Sequence, residues 1–255
     1  MSEIFKRKAV VTIGETEVSS DDLSIKLIYP FGTAGITNSK IYIFNPSDNI
    51  IAACTGDPSV QVEAGHQDEV LLVLAGECHN HKLIEEGPDL VLTIGVTDKK
   101  ALLSTAKLNK NFSNQSSSAI IKSVCSDVGI DVETCKPGND VTIEKFVVRG
   151  VREAIESLAK KTESRWYFRH GKFIFESLAA KTSPIVVEEN TGLVGIPKRT
   201  GDIVSFKTVF LNSITQGKTV LLKYEGEELE ARITSGLIRF SSFDNDHGME
   251  FEATV

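Results

Sequence analysis

The sequence lacks the long apolar runs and the short motifs by which many membrane proteins and enzymes are identified. No window approaches the roughly 18 to 20 consecutive apolar residues that a membrane helix needs, so we expect no membrane span. GxSxG, GxxxxGK[ST] and GxGxxG are all absent, which leaves hydrolase nucleophile elbows and the standard phosphate loops without support. Gly32-Thr33-Ala34-Gly35 has neither the lysine nor the following helix that a phosphate loop requires.

Cysteine is scarce and scattered. The sequence has four cysteines: Cys54, Cys78, Cys125 and Cys135. Because they form no CxxC pair, we expect free thiols in a protein made in a reducing cytoplasm. The charged residues 1–8 precede only a short β-branched stretch, Ala9–Ile13, which is too short for the core of a signal peptide. We therefore expect synthesis in the cytoplasm without a signal sequence.

An excess of positive charge is also missing. The chain has 28 Lys and Arg against 35 Asp and Glu, for a net charge of −7. Gripping a nucleic-acid duplex needs clustered Lys and Arg, whereas weak acidity suits a protein past which nucleic acid moves without sticking. With 41% hydrophobic and 25% charged residues, the composition is that of an ordinary soluble, folded protein. The 255 residues suffice for one large or two to three small domains.

The most regular pattern runs from Val151 to Glu176. Apolar residues from Val151 to Ala159 recur at the spacing of one helix face. Two alternating runs follow, joined by His170-Gly171, which predicts a β-hairpin with a two-residue turn. The predicted pairs are Arg169 with Lys172, Phe168 with Phe173, Trp166 with Phe175, and Arg165 with Glu176.

This register puts four aromatic side chains on one face of the hairpin: Trp166, Phe168, Phe173 and Phe175. An isolated hairpin is marginal in water, so we expect the preceding helix to cover that face. Tyr167 then points outward, the side from which an aromatic ring can stack on a sugar or a base. The pattern predicts a small α+β packing unit and contains nothing catalytic.

The segments on either side of this unit have an all-β pattern. We predict these strands: Ala9–Ile13, Leu23–Tyr29, Lys40–Phe44, Val60–Val62, Val70–Leu74, Leu90–Val96, Ile185–Val187, Ile203–Phe210, Lys218–Tyr224, Glu228–Thr234 and Met249–Val255. Short strands separated by turn residues indicate a sandwich or small barrel on each side. Because the two flanks are similar in size and in their all-β pattern, we expect that they are structural duplicates of each other without sequence similarity.

Between these flanks we predict a polar linker over residues 98–112 and then an αββαββ insertion. Its first helix is capped by Ser116-Ser117-Ser118 and stopped by Gly129. The predicted loops of the last flank lie at residues 190–192, 197–202, 216–217 and 244–248.

Candidate chemistry is sparse. Cys78-His79-Asn80-His81 is the densest group of metal-ligand types, but in a strand Cys78 points away from His79 and His81, and no second motif completes a tetrahedral site. Adjacent carboxylates, which face apart in strands, occur at Asp21-Asp22, Glu85-Glu86, Glu188-Glu189 and Glu227-Glu228. A glycosidase needs two converging carboxylates. The basic groups Lys6-Arg7-Lys8, Lys160-Lys161 and Lys198-Arg199 are diluted by acids and favour solvated surface.

Four stretches, taken in order, carry a family resemblance. They are Lys40–Asn45; Glu86–Ile94 with Ala106–Phe112; the helix and hairpin of Val151–Glu176; and Asn190–Thr200 with Val204–Asn212 and Gln216-Gly217. Together they resemble the baseplate hub proteins of long-tailed bacteriophages, the family that includes late-control-type tail proteins. Each motif is structural, and none is a catalytic signature.

The resemblance implies an α+β, mainly β fold with two small tail-tube-like β-barrels flanking a compact α+β insertion. The expected domains are residues 1–105, 106–182 and 183–255. It also implies a homotrimer that adapts the six-fold tail tube to the three-fold spike and leaves a channel for DNA ejection. We expect no enzyme activity and no catalytic, metal or cofactor residues.

The expected partners are a tail tube protein or tube-initiator ring above and a spike protein below. A tape measure protein and baseplate wedge or sheath-associated proteins are further candidates, and the expected location is the tail baseplate of the virion. Because Val255 ends the last predicted strand, we expect a spike or lysozyme activity to reside on another protein. Two alternatives remain, a peptidoglycan-acting or carbohydrate-binding tail-tip module and the hub of a phage-like contractile injection system.

Overall fold

The chain divides into two compact units. The computed structural model describes residues 7–32, 38–66, 69–97, 103 and 105–255. One unit combines Met1–Asp98 with Ser183–Val255, and the other is Lys99–Thr182. Both predicted β flanks thus belong to one unit, with the α+β segment as a separate body.

A 13-stranded sheet dominates the first unit. Its strands in the first flank are β1 (Arg7–Ile13), β2 (Thr16–Ser19), β3 (Ile25–Phe31), β4 (Asn38–Phe44), β5 (Ser59–His66), β6 (Glu69–Glu86) and β7 (Asp89–Thr97), with helix α1 (Asp48–Ala53) between β4 and β5. In the second flank they are β13 (Ile185–Glu188), β14 (Leu193–Thr200), β15 (Ile203–Thr208), β16 (Thr219–Tyr224), β17 (Glu227–Ser241) and β18 (Gly248–Thr254), with a 3-10 turn at Glu189–Thr191. Each predicted flank strand overlaps one of these observed strands.

The two flanks repeat one strand order. In the first flank neighbouring strands run β1-β5-β6-β7-β4-β3, and in the second they run β13-β16-β17-β18-β15-β14. Each strand of one series has its counterpart at the same place along the chain and in the sheet. The flanks differ in that β2 has no counterpart and that β1 runs antiparallel to β5, whereas β13 runs parallel to β16. This order supports the expected structural duplication.

The two longest strands also match in register. Ser59 of β5 lies opposite Glu77 of β6, and Thr219 of β16 lies opposite Arg232 of β17. Two residues further along, each long strand has a bulge against its other neighbour, at His79 in β6 and at Thr234 in β17. A bulge bends a strand and increases its twist. β6 therefore bends two residues beyond the end of its pairing with β5, and β17 bends two residues beyond the end of its pairing with β16.

The core of this unit follows from the period of the strands. In β1 the alternate residues Ala9, Val11 and Ile13 are buried, as are Ile41 and Ile43 in β4. Aliphatic residues from both flanks fill one continuous cluster. The predicted α+β, mainly β class is confirmed. Hydrogen-bond ladders among the described residues link both flanks into one sheet, and closure of each flank into its own barrel stays a prediction.

The second unit has the predicted order of elements, preceded by one extra strand. Its elements are β8 (Lys107–Ser116), α2 (Ser117–Asp127), β9 (Val132–Lys136), β10 (Thr142–Gly150), α3 (Val151–Lys161), β11 (Ser164–Arg169) and β12 (Lys172–Ser177). β10 pairs with β8, and a separate sheet has the order β11-β12-β9. Both helices and the aromatic hairpin share one core.

All four predicted hairpin pairs between β11 and β12 are present. Phe168, Phe173 and Phe175 are buried in the core shared with α3, and Trp166 packs against it partly buried. The prediction that Tyr167 points into solvent is wrong, since its side chain is only 5% exposed. Its hydroxyl donates a hydrogen bond to Glu176 Oε1 at 3.1 Å.

The chain that follows β12 explains part of this difference. Arg165, on the same hairpin face as Tyr167, donates hydrogen bonds from its guanidinium to the carbonyl oxygens of Leu178 and Ala180. Arg165 Nε also donates to Glu176 Oε1 at 3.0 Å. Arg165 thus holds the segment after β12 against the hairpin face that alternation alone predicts to be exposed to solvent.

The start of α2 confirms the predicted serine cap. Ser116 Oγ accepts a hydrogen bond from the backbone of Ala119. Asp140, in the loop between β9 and β10, accepts hydrogen bonds from Ser117 Oγ at 2.8 Å and from the backbone N–H of Ser118 at 2.9 Å. Burial raises the pKa of Asp140, but the hydrogen bonds from Ser118 and Ser117 outweigh it, so the pKa lies below its ordinary value.

Three predictions of local structure are wrong. Part of the predicted polar linker is strand β8, because its outward side chains are polar and only Leu108 and Phe112 mark the inner face. Helix α1 is missing from the prediction, since its six residues are too few to show a helical period. The predicted loop at residues 197–202 overlaps β14, in which Pro197 sits at a bulge. Lys6 of the basic group Lys6-Arg7-Lys8 and Thr33–Gly35 of the glycine motif lie outside the described residues. So do residues 98–102 and 104 of the predicted linker.

Replacing Phe175 by alanine should destabilise the second unit by about 3 to 5 kcal/mol, because it leaves a cavity in that unit's core. Trp166, the only tryptophan, lies in the same unit, so its fluorescence during urea unfolding reports this change. Leu178→Ala is the matched control, since Leu178 is 58% exposed and its loss should cost less than about 0.5 kcal/mol. Equal shifts for both variants would show that the hairpin face is not a core.

Candidate assembly surfaces

The two flanks are joined by a strand ladder between β17 and β3. Residues 236–241 of β17 run antiparallel to residues 26–31 of β3. Ile25 and Ser242 extend the ladder with two hydrogen bonds of 3.0 Å, from Ile25 N to Ser242 Oγ and from Ser242 N to Ile25 O. Phe240 and Leu27, which lie opposite each other in this ladder, are fully buried. This junction, β17 with β3, carries both backbone pairing and apolar burial.

Two glycines allow the backbones to approach closely at this junction. Gly32, with φ of +78°, follows β3, and a Cβ there would overlap the carbonyl oxygen of Thr234. A Cβ on Gly236 would lie 2.7 Å from both Phe31 Cζ and the carbonyl oxygen of Glu250. The Phe31 ring fills the space above Gly236 and contacts Phe251 edge-on, with centroids 6.1 Å apart.

A charged cluster closes the other end of the junction. Lys26 Nζ of β3 lies 2.6 Å from Asp246 Oδ2 and 3.8 Å from Asp244 Oδ2, both in the loop after β17. The hydrogen bond to Asp246 raises the pKa of Lys26. Arg7 Nη1 donates to the carbonyl oxygen of Asp244 and contacts His247 Nδ1 at 2.7 Å. Burial, together with the Arg7 guanidinium, lowers the pKa of His247.

Two strand edges of the same unit have no partner among the described residues. β6 pairs with β5 as far as Glu77, and Cys78 N donates to Pro58 O just beyond, so residues 79–86 of β6 have no strand partner on that side among the described residues. β14 pairs with β15 on one side and with no described strand on the other. Exposed apolar side chains lie on both strands, with Leu83 42%, Val194 50% and Ile196 61% exposed. We call these the β6 edge (residues 79–86) and the β14 edge (residues 193–200).

The Cys78–His81 group lies within β6. Cys78 is buried, whereas His79 and His81 are exposed. His79, at the bulge, contacts Thr97 Oγ1 through Nδ1 at 2.7 Å. The described residues contain no group of three or more His, Cys, Asp or Glu side chains arranged to hold a metal ion.

The structure brings two of the predicted carboxylate pairs together. Glu188-Glu189 and Glu227-Glu228 line one groove beside β14. Lys223 lies between Glu188 and Glu228 in a row across β13, β16 and β17. Lys223 Nζ lies 2.7 Å from Glu228 Oε1, and this hydrogen bond raises the pKa of Lys223. The row is a surface ion network on the strands next to the β14 edge.

The remaining candidates are ordinary structural residues. Asp21 forms an ion pair with Lys8 at 3.1 Å. All four cysteines are free, as predicted. Burial raises the pKa of Cys54 to about 11 and that of Cys125 to about 12, so these thiols stay protonated and unreactive at neutral pH.

A family model described as "Baseplate hub gp41" matches residues 45–225. The chain belongs to this baseplate hub family. The match begins in the first flank, spans the whole α+β unit and ends in the second flank, so it covers the architecture and not a single motif. It confirms the resemblance carried by the four sequence stretches, and it implies a place in the tail baseplate of the virion.

Solved structures of tail proteins share the fold of this hub protein. A tail protein from Neisseria meningitidis MC58 matches with a TM-score of 0.75 at 10% identity, covering 98% of this chain and 97% of that one. The 43 kDa tail protein of prophage MuSo2 from Shewanella oneidensis matches with a TM-score of 0.72 at 12% identity, covering 97% and 98%.

A third similar structure is the E. coli c3393 protein, a component of the type VI secretion system with structural similarity to the T4 tail proteins gp27 and gp5. Its TM-score is 0.61 at 11% identity, with 91% of this chain and 73% of that chain covered. The comparison with curated proteins gave no significant match. Among the described residues of the hub protein, no helix has the length and apolar character to cross a membrane.

Replacing Gly32 by alanine should destabilise the hub protein at the junction. The left-handed backbone costs about 1 kcal/mol for a non-glycine residue, and overlap with Thr234 should add at least about 2 kcal/mol. Gly56→Ala is the matched control, because Gly56 has a similar φ of +83° and nothing within 4 Å of the added Cβ. Urea unfolding followed by far-ultraviolet circular dichroism measures both. Similar losses for the two variants would contradict a close approach at Gly32.

Proposed function

We propose that three copies of this hub protein form a ring that adapts the six-fold tail tube to the three-fold spike. The observation that carries the proposal is the repeated strand order of the two flanks within one unit. Three chains with two such repeats each present six similar β elements to the tube, while the chains themselves keep three-fold symmetry toward the spike. Membership of the baseplate hub family supports the same position in the tail.

The ring leaves a channel through which DNA is ejected without specific binding. The net charge of −7 supports this role, because a surface with an excess of carboxylates repels phosphates. The proposed partners are the tail tube protein or a tube-initiator ring above, the spike below, and a tape measure protein. The chain is proposed to act structurally and not as an enzyme. The carboxylates of Glu188 and Glu228 flank Lys223 in an ion row, which accounts for them without a catalytic role.

Sedimentation of the purified protein at micromolar concentrations, with and without the cognate spike, tests the proposal. We expect either a species of about 83 kDa for the protein alone, which is three times the 27.8 kDa chain, or a heavier spike complex that contains three copies of the chain. Burial of exposed strand edges is the physical reason for association. Monomers at all concentrations, with the spike present, would contradict the ring.

A further inference from the structure

We propose that neighbouring copies in the ring join through a strand ladder between the β6 edge of one copy and the β14 edge of the next. This contact would repeat, between chains, the β17–β3 junction that joins the two flanks within one chain. The inference rests on the proposed ring, and it adds the surface, the partner strand and the register. The occupant of each edge is therefore a second copy of this chain.

The first step is the equivalence of β6 and β17. The pairing of β6 with the preceding strand, β5, ends at Glu77. The pairing of β17 with its preceding strand, β16, ends at Arg232. Both strands then bulge two residues later against the following strand. Beyond the bulge, residues 236–241 of β17 pair with β3. By register, residues 81–86 of β6 occupy the same place, and within the described chain they have no partner on that side.

The second step is the equivalence of β14 and β3. β4 and β15 hold matching positions, because Asn38 lies opposite Thr97 of β7 and Ile203 lies opposite Thr254 of β18. Ile25 of β3 pairs with Ile43 of β4, and Leu193 of β14 pairs with the matching Thr208 of β15. β14 is therefore the last strand in the series of the second flank, and β3 holds the equivalent position in the first flank. β3 is covered by β17, whereas β14 is covered by no described strand.

Together these equivalences specify the ladder. Residues 81–86 of one copy run antiparallel to residues 194–200 of the next, as residues 236–241 run antiparallel to residues 26–31. The pair Ile238 with Tyr29 in the internal junction corresponds to Leu83 with Arg199 between copies. The extra residues of β14 at its bulge, residues 195–197, fall opposite Glu85.

The side chains of the two edges are complementary. Leu83 on one edge and Val194 and Ile196 on the other are exposed apolar residues that such a ladder would cover. Glu85 and Glu86 carry negative charge at the end of β6, and in this register they approach the basic pair Lys198-Arg199 of β14. Opposite charges on adjacent strands favour one pairing over others.

Pro197 does not prevent this pairing. Proline cannot donate a ladder hydrogen bond and is confined to edges and bulges, and Pro197 lies at the bulge of β14. The internal junction tolerates the same residue type, since Pro30 of β3 lies opposite Leu237 of β17. A proline and a bulge instead deter pairing with unrelated strands, which leaves a strand of matching shape as the favoured partner.

The contact is heterologous, because different surfaces of the two copies meet. Such contacts either close into a ring or continue as a filament. Three chains with two repeats each close into a ring if the internal junction and the interchain contact both rotate one repeat onto the next by a sixth of a full turn.

Disulfide trapping tests the ladder on the full-length protein. In the double variant Leu83→Cys/Arg199→Cys, the proposed register puts the two new thiols of neighbouring copies opposite each other. The control is Leu71→Cys/Arg199→Cys, because Leu71 lies on the same strand, is 51% exposed, and faces a stretch already paired with β5. After mild oxidation we expect cross-linked dimers and trimers in at least about tenfold excess over the control.

A second pair of variants keeps the proposal falsifiable if the thiols do not react. Leu83→Lys should weaken association at least about tenfold, because in the proposed register it places a second positive charge opposite Arg199, whereas Leu71→Lys should leave it unchanged. Both sites are exposed in the single chain, so folding should be retained and can be checked by circular dichroism.

The outcomes separate this inference from the proposed function. Trimers that form no selective cross-link and tolerate Leu83→Lys would overturn the ladder and leave the ring in place. Monomers at every concentration, without cross-links and with the spike present, would overturn both. Selective cross-links that extend beyond three chains would support the ladder and contradict the closed trimer.

Discussion

The pairing of strand edges is the constraint on which this structure depends. A backbone N–H or C=O group that is buried without a hydrogen bond costs free energy comparable to a lost hydrogen bond, and a free strand edge is a template for another strand. The β17–β3 junction meets this constraint within the chain, joining residues more than 200 positions apart in sequence. The close approach of β17 to β3 requires glycine at positions 32 and 236. It also brings Lys26 and Asp246 together as an ion pair. The proposed assembly extends the same solution to two further edges, those of β6 and β14, that have no partner among the described residues.

The α+β unit has an independent basis. Its core combines α2, α3 and the aromatic hairpin, and none of the core residues belongs to the cluster of the other unit. A hairpin of six-residue strands is marginal alone, so α3, with five buried residues along one face, supplies the apolar surface that it lacks. The third strand, β9, pairs in parallel with β12 and protects one edge of the hairpin.

Local patterns predicted the local structure well. The register of the hairpin from Arg165 to Glu176 follows from a two-residue turn and strict alternation, and both are properties of neighbouring residues. The serine cap of α2 and the strand positions in both flanks were also predictable, because caps and period-2 patterns need no distant partner. The burial of Tyr167 was not, since it depends on a hydrogen bond across the hairpin to Glu176 and on the segment after β12, which Arg165 holds against the same face. Strand β8 carries too few apolar side chains to be recognised.

The pairing of strands that lie far apart in the chain could not be predicted from the sequence. Nothing in Lys26–Phe31 or Gly236–Ser241 indicates that these segments meet, and the repeat of the two flanks exists in ladder order without visible sequence similarity. The Cys78–His81 group shows the same limit: its place inside a long bulged strand becomes clear only once β5 and β7 are known as neighbours. The functional surfaces proposed for this protein are therefore backbone edges and not side-chain motifs.

Amide hydrogen exchange on the assembled protein tests the central claim most directly. If assembly repeats the internal junction, the amides of residues 81–86 and 194–200 that point toward the open edges exchange rapidly in a dissociated chain. In the assembly they become as slow as residues 236–241 and 26–31, because both sets of amides are then held in ladders. Fast exchange at both edges in an assembly whose protection arises on other surfaces would contradict the account.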